Sequence, residues 1–389
     1  MKQMKVLHIN DKYEGGGAES VFRDTIKATE ELGYETKMLF SDGKTNPLSY
    51  LFSSKYYRET LKLITEFSPD IVHLHNYYHY LTPSVLKALR DAKKKHHFKV
   101  VLTAHDYHLI CPNSGFQHFT AGKRTNFNPQ KSNLSYLQRF DHRSVIHSLL
   151  KCMQHFINYR LLKLSGVFDL IISPGEFLSR VFSAWGVKQP VTVVRNPVEF
   201  LPSEPVVLET SAAADESRAK ELVFIGRLSV EKGLLEFVEL LNKQSHGAIN
   251  LNIYGQGEAE EQLKAMPLRA GLKLIFHGFK PREEVTGHLA QYDIFVLPSV
   301  WYENAPISIV EAANAGLPVL VPGYGGLQEM AALTQHAVLF DYNQNDLNDK
   351  LEQAFAKRKT NALKDKTIFT FEAYKSSLEK IYTQLVNNK

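Results

Sequence analysis

Two glutamates, Glu303 and Glu311, flank the stretch Asn304-Ala305-Pro306-Ile307-Ser308, where a strand-like run gives way to a helical pattern. Pro306 suits the first position of a helix, and Gly316 with Pro318 marks its end. This puts Glu303 ahead of the helix and Glu311 about one and a half turns inside it, so the carboxylates are not stacked neighbours. Between them the N–H groups of Asn304, Ala305, Ile307 and Ser308 can face an anion, backed by the helix dipole. A carboxylate accepts hydrogen bonds from sugar hydroxyls. Two of them beside an anion-binding helix start could hold a sugar on one side and a ribose diol on the other. The alternative is a capped helix with two solvated glutamates. Apolar residues surround both, and a carboxylate buried without partners is costly.

Upstream, Phe224-Ile225-Gly226-Arg227-Leu228-Ser229-Val230-Glu231-Lys232-Gly233 places Arg227 directly after an apolar strand and Lys232 at the expected start of the next helix. Two cations and a helix N-terminus can neutralise a diphosphate. The arginine offers a fork for phosphate oxygens, the lysine a point charge. Tyr254-Gly255-Gln256-Gly257-Glu258 repeats the same strand-to-glycine turn. Near the start, Gly15-Gly16-Gly17-Ala18-Glu19 follows the strand Val6 to Ile9. It lets backbone approach a ligand closely, or it is only a tight turn. Its spacing is neither G-x-G-x-x-G nor a P-loop. Thr103-Ala104-His105-Asp106 ends another strand, where His105 could donate a hydrogen bond or serve as a base. His73 and His75 sit on a similar strand end, and sixteen histidines in the chain leave room for coincidence.

These motifs need strand ends to present them. Short runs rich in Val and Ile recur at Val6–Ile9, Ile71–Leu74, Val100–Thr103, Leu170–Ile172 and Val191–Val194. They recur again at Leu222–Ile225, Leu251–Tyr254, Lys273–Phe276, Ile294–Leu297, Pro318–Val321 and Ala337–Phe340. Such runs suit strands buried on both faces of a parallel sheet. Amphipathic stretches such as Glu19–Leu32 and Leu234–Leu241 lie between them. This is βαβ alternation occurring twice, hence two doubly wound α/β domains facing across a cleft, with ligands beyond the carboxyl ends of the strands. The expected division is 1–193, 194–365 and a terminal helix over 366–389. Leu201 to Lys220 reads as a loop after the first strand of the second domain, and 112–143 as one long irregular loop.

The composition suits a globular protein of two domains: 389 residues, 44% hydrophobic and 22% charged. No apolar run is long enough for a membrane span. Two cysteines, Cys111 and Cys152, are too few for a disulfide framework or a four-ligand zinc site, and they read as buried thiols. A cytoplasmic location is expected. The net charge of +5 hides an asymmetry: residues 1–199 hold 27 Lys and Arg against 17 Asp and Glu, the remainder 19 against 24. The basic front part, with Lys93-Lys94-Lys95 and His96-His97, suits an anionic membrane surface at the inner face of the plasma membrane, or is ordinary solvated charge. The scattered cations match no nucleic-acid motif.

Taken together, Glu303-x7-Glu311 with Gly226-Arg227-Leu228 and Glu231-Lys232-Gly233 resembles the retaining family-4 glycosyltransferases. The glycine loop, His105, Arg195-Asn196-Pro197-Val198 and Gly255-x-Gly257 fall in that family's order, so the resemblance covers nearly the whole chain. It implies the GT-B fold of two Rossmann-like domains, with the terminal helix returning to the first. It implies that Arg227 and Lys232 bind the donor diphosphate, Glu311 the ribose hydroxyls, and Glu303 the transferred sugar, with the backbone of Asn304, Ala305, Pro306 and Ile307 nearby. Gly16 and Gly17 would approach the phosphates and His105 the donor sugar. Asn196, Gly226, Gly255, Gly257 and Glu258 complete the expected donor site. The acceptor would attack from the leaving-group side, with no protein nucleophile, no metal and no cofactor, since the nucleotide sugar is itself a substrate. The expected activity is transfer of a hexose or N-acetylhexosamine, from a UDP-sugar or GDP-mannose, to a glycan or lipid-linked acceptor in bacterial surface polysaccharide synthesis. Asn304-Ala305-Pro306 replaces a glycine-containing sequence seen in many members, which bears on donor identity. A nucleotide-sugar epimerase and a non-catalytic nucleotide-sugar-binding protein are the competing readings.

Overall fold

The structure, a computed structural model, describes residues 3–43, 47–120, 123–200, 218–244, 247–344, 346–357 and 363–387. It divides into two compact units: Met1–Pro197 with Thr367–Lys389, and Val198–Lys366.

The first unit is built on β1 (Lys5–Ile9), β2 (Glu35–Leu39), β3 (Ile71–Leu74), β4 (Lys99–Thr103), the pair β5 (Gln117–Thr120) and β6 (Lys123–Asn126), β7 (Leu170–Ser173) and β8 (Val191–Val193). Six of these form a parallel sheet in the order β2-β1-β3-β4-β7-β8. Every residue of β3 is buried, as an inner strand of a sheet covered on both faces must be. The edge strand β2 buries only Leu39, so its sequence, Glu-Thr-Lys-Met-Leu, carries no apolar run to announce it. The second unit holds β9 (Lys220–Ile225), β10 (Ile249–Tyr254), β11 (Leu272–Gly278), β12 (Ile294–Val296), β13 (Val319–Pro322) and β14 (Ala337–Phe340), parallel in the order β11-β10-β9-β12-β13-β14.

Two readings of the loops need correction. The segment 112–143 is not wholly irregular, because β5 and β6 form an antiparallel hairpin within it. Phe116, Phe127 and Phe140 from this segment are buried, and Tyr107 stacks on Phe116 at 4.7 Å. These aromatics are too widely spaced along the chain to show a local period. The stretch from Leu201 precedes the first strand of the second unit, which begins at Lys220, instead of following it. Residues 201–217 lie outside the described residues. Cys111 and Cys152 are free and buried, and burial pushes the Cys152 thiol up to about 11.

The terminal helix Phe371–Asn387 belongs to the first unit and packs along the helix Gly17–Glu31. Its buried residues Tyr374, Leu378 and Tyr382 recur every four positions, one stripe of a helix. The Tyr374 hydroxyl lies 2.6 Å from Thr25 Oγ1, and the Tyr382 hydroxyl 2.5 Å from His73 Nδ1. His73 Nε2 meets Thr103 Oγ1 at 2.7 Å, so both ring nitrogens are engaged in the core.

His73 is one of seven histidines whose pKa burial lowers in this unit, the half-buried His118 among them. His8 and His155 fall to about 3 and His105 to about 4; His73, His75 and His108 lie well below the ordinary value. A histidine with a depressed folded pKa contributes its stability in full above its unfolded pKa and loses it as pH falls toward the folded value. The first unit should therefore weaken below about pH 6.5, each such histidine adding up to ~1.4 kcal/mol per pH unit. Chemical denaturation followed between pH 7.5 and pH 5, with a probe in each unit, checks this. The first unit should lose its midpoint first.

Candidate functional site

In the second unit the chain runs from β9 outward through β10 to β11, then returns to the other side of β9 through β12, β13 and β14. The carboxyl ends of β9 and β12 therefore flank a topological switch point, the place where doubly wound sheets leave a crevice. Arg227 follows β9, and the loop carrying Ser299 and Glu303 follows β12.

Glycines bring these loops together. Gly255 has φ +140°, and a Cβ there would stand 1.9 Å from the Gly226 carbonyl oxygen; at Gly257 one would stand 2.3 Å from that of Leu228. The β10 turn thus lies against the backbone Gly226-Arg227-Leu228, and Leu228 N donates to Gln256 O at 2.9 Å. Within this unit Gly255 and Gly257 act as packing glycines that hold the Arg227 loop. The Arg227 and Glu258 side chains are exposed. Lys232 does not open the following α-helix. It closes a 3₁₀ turn, Val230–Lys232, because Gly233 takes a left-handed conformation before the helix starts at Leu234. A Cβ on Gly233 would meet Pro298 O at 2.1 Å, so only glycine lets this turn dock on the end of β12.

The result is a contact between residues far apart in sequence. Lys232 Nζ lies 2.6 Å from Glu303 Oε1, and Ser299 Oγ donates to the same oxygen at 2.6 Å. Glu303 is only 7% exposed, so it is not a solvated glutamate. Burial alone would raise its pKa. The Lys232 charge and hydrogen bonds from Lys232 and Ser299 outweigh burial and hold the carboxyl below the ordinary glutamate value. The loop is pinned at three points: Val300 N donates to Glu231 O at 3.0 Å, Gly326 N to Glu303 O at 2.9 Å, and the Tyr324 hydroxyl to Ser299 O at 2.6 Å.

The helix Ile307–Asn314 starts one residue later than its sequence suggests. Pro306 has ψ 114° and is the cap residue, with no side-chain cap, so the helix N-terminus keeps its backbone donors for a ligand. Asn304, Ala305, Pro306 and Ile307 are half-buried around it. Glu311 lies inside this helix, and Arg282 Nε donates to its Oε1. Arg282 was not legible as a site residue. It opens a helix, Arg282–His288, and reaches Glu311 only through the sheet order. Its Nη2 is buried without a hydrogen-bond partner among the described residues.

In the first unit, Gly16 caps the helix Gly17–Glu31 and donates its N–H to Glu19 Oε2 at 2.8 Å. Gly16 and Gly17 are exposed, and a Cβ on Gly17 would meet nothing within 4 Å. Packing in this chain therefore does not explain why Gly17 is a glycine. His105 follows β4, with Nε2 2.9 Å from His75 Nδ1 and the two rings stacked at 5.1 Å; His75 stacks in turn on His73 at 4.7 Å. With its pKa lowered to about 4 by burial, His105 is neutral at pH 7 and suits hydrogen bonding better than general-base work. Asp106, which no local pattern separates from its neighbour, is pushed up to about 6 by burial, and the Tyr78 hydroxyl donates to it. Asn196, near the end of the unit's first segment, has a buried Oδ1 with no hydrogen-bond partner among the described residues. Among the described residues, no group of three or more His, Cys, Asp or Glu is placed to hold a metal ion.

A Cβ on Gly326 would come within 1.9 Å of Asn304 O and 2.2 Å of Glu303 O, both backbone atoms. Gly326→Ala should destabilise the second unit by roughly 1–3 kcal/mol. Gly287→Ala, in a helix where a Cβ meets nothing within 4 Å, should be neutral or stabilising. Urea denaturation of the two variants checks the contrast.

Comparison with known proteins identifies the family and the fold. Residues 15–200 match the glycosyltransferase family 4 model, and residues 210–375 the glycosyl transferases group 1 model. Amylovoran biosynthesis glycosyltransferase AmsK of Erwinia amylovora is 35% identical over 120 residues, 28% of this chain and 29% of that protein's length. An uncharacterised 42.6 kDa protein in the cps region of Klebsiella pneumoniae is 28% identical over 302 residues, 75% of this chain and 69% of that protein. Among solved structures, sucrose-phosphate synthase of Thermosynechococcus elongatus matches with a TM-score of 0.65 at 14% identity, covering 100% of both chains. HepE of Anabaena, solved with UDP and glucose, matches with a TM-score of 0.60 at 16% identity, covering 98% of this chain and 100% of that one. The two parallel α/β units have the GT-B fold, and the chain belongs to the family-4 glycosyltransferases.

Proposed function

We propose that this glycosyltransferase moves a hexose or N-acetylhexosamine from a nucleotide sugar, with a UDP-sugar favoured over GDP-mannose, to a glycan or lipid-linked acceptor in surface polysaccharide synthesis, with retention at the anomeric carbon. The observation that carries the reading is the Lys232–Glu303–Ser299 contact at the β9/β12 switch point, with Arg227 on the neighbouring strand end.

Glu303, kept ionised, accepts hydrogen bonds from the hydroxyls of the transferred sugar. Lys232 already stands against it and can share its charge with the donor diphosphate. Arg227, exposed at the end of β9, supplies the second cation. Charge that builds on the leaving diphosphate then meets cations already in place. Glu311 takes the ribose hydroxyls, polarised by Arg282. Backbone donors from Asn304 to Ile307 face the donor. Gly16 and Gly17, one of them free of any packing reason to be glycine, are assigned to phosphate, and neutral His105 to a sugar hydroxyl. The departing phosphate takes the acceptor proton, so the reading needs neither protein nucleophile nor metal. The UDP and glucose in HepE and the amylovoran biosynthesis in the name of AmsK support the donor class and the pathway class.

Thermal shift against UDP-, GDP- and ADP-sugars, then nucleotide release, tests this. Glu311→Ala should raise the KM for the donor by roughly 10–100-fold with a smaller change in kcat. Arg227→Ala and Lys232→Ala should lower kcat by about 10²–10³. EDTA should leave turnover unchanged, and the product anomer read by NMR should match the donor. If no nucleotide sugar stabilises or is turned over, and Glu311→Ala alters no donor binding, the reading fails.

A further inference from the structure

The helix Val145–His155 presents its apolar side outward. Its buried residues are Ser148, Cys152, Gln154 and His155, while Val145, Ile146, Leu149 and Met153 are exposed. The pattern continues through the π-helical turn Phe156–Leu161, where Asn158 and Tyr159 are buried and Phe156 and Leu161 exposed. Hydrogen bonds hold this orientation. Phe140 N donates to Ser148 Oγ at 2.8 Å, and Gln154 Nε2 donates to the carbonyls of Tyr50 and Tyr78 at 2.7 and 3.0 Å. Asn158 Nδ2 donates to Gln154 O at 2.6 Å, and His155 Nδ1 lies 2.7 Å from the Tyr136 hydroxyl. Turning the helix to bury its apolar side would break the bonds to Phe140, Tyr50, Tyr78 and Tyr136 and leave the groups they satisfy without them. Of the fourteen large hydrophobic side chains exposed among the described residues, seven lie between Leu137 and Leu161. That is a patch, and contiguous apolar patches mark interaction sites.

The charge around it has one sign. Between Tyr107 and Phe168 the chain carries eight Lys and Arg and a single acidic residue, Asp141. Asp141 is itself buried and held by Arg143 and Lys151 at 2.9 Å each. The positive excess of the first half is thus concentrated here. The Lys93-Lys94-Lys95 cluster is a weaker candidate, since Lys93 pairs with Asp169 and Lys94 with Asp91. At the end of the helix a cavity of about 140 Å³ is lined by His155, Tyr159, Arg160, Trp185 and Lys188, so two cations meet beside the apolar stripe.

We propose that this face seats the chain on an anionic phospholipid surface. Val145, Ile146, Leu149, Met153, Phe156 and Leu161 enter the boundary between headgroups and acyl chains, and Arg160, Lys163 and Lys188 meet lipid phosphates. A second copy of the chain is the poorer occupant. Two-fold pairing of this face would set its cations against each other with no carboxylate to answer them.

The test uses the full chain and vesicle flotation, a readout independent of donor chemistry. Vesicles of phosphatidylcholine alone are compared with vesicles holding about 30 mol % phosphatidylglycerol, at about 0.1 M and about 0.5 M NaCl. The chain should float with the anionic vesicles and be released by salt. Ile146→Glu combined with Leu149→Glu should cut vesicle binding about tenfold or more while the unfolding midpoint is unchanged. Arg160→Ala with Lys163→Ala should reduce the preference for phosphatidylglycerol. A chain that floats with neither vesicle, or whose glutamate variant floats as well as the parent, overturns the proposal. So does a concentration-dependent dimer that the glutamate variant disperses, which would assign the face to a second copy.

Discussion

Glu303 is a carboxylate taken out of water, and the second unit is arranged around keeping it charged. Removing a carboxylate from water without partners would drive it to its neutral form. Here Lys232 and Ser299 share one of its oxygens, and the loop that carries it is tied to Glu231, Tyr324 and Gly326. Those ties need backbones to approach more closely than any side chain allows, which is why Gly233 and Gly326 stand where a Cβ would collide with a carbonyl of this loop. The cost of the buried charge is met by geometry set in place before any ligand arrives, the condition under which electrostatic stabilisation is most effective.

Glu311 follows the same logic with a different cation. Arg282 comes from the helix after β11, Glu311 from the helix after β12, and neither element neighbours the other in sequence. The two carboxylates therefore do not compete for one counter-charge. Each has its own, and each can exchange part of that interaction for a ligand hydroxyl or phosphate.

The first unit is organised by neutral groups. A row of histidine rings runs from His73, anchored by Tyr382 of the terminal helix, through His75 to His105 at the end of β4. Burial keeps these rings uncharged, so they pass hydrogen bonds rather than charge. The terminal helix is thus part of the support behind His105, although more than 250 residues of chain lie between them. The same unit turns one helix outward, apolar side to solvent, and surrounds it with cations.

Much of this was legible along the chain. Apolar runs of strand length alternating with helical periods identified two parallel-sheet units, because strands buried on both faces must be apolar throughout. Glycines at strand ends, Arg227, Lys232, Glu303 and Glu311 were recognisable because their spacing is tied to one strand, one turn and one helix each. The edge strand β2 and the hairpin β5–β6 were not, since exposed strands carry no apolar run. The partnerships were also hidden. Lys232 meets Glu303 across 71 residues, Arg282 meets Glu311 across 29, and Tyr382 meets His73 across 309. Sequence determined which groups could do chemistry and on which local element each would sit. Only the order of strands in the sheets decided which of them touch, because contact between distant segments is fixed by how whole elements pack and not by any pattern within one of them.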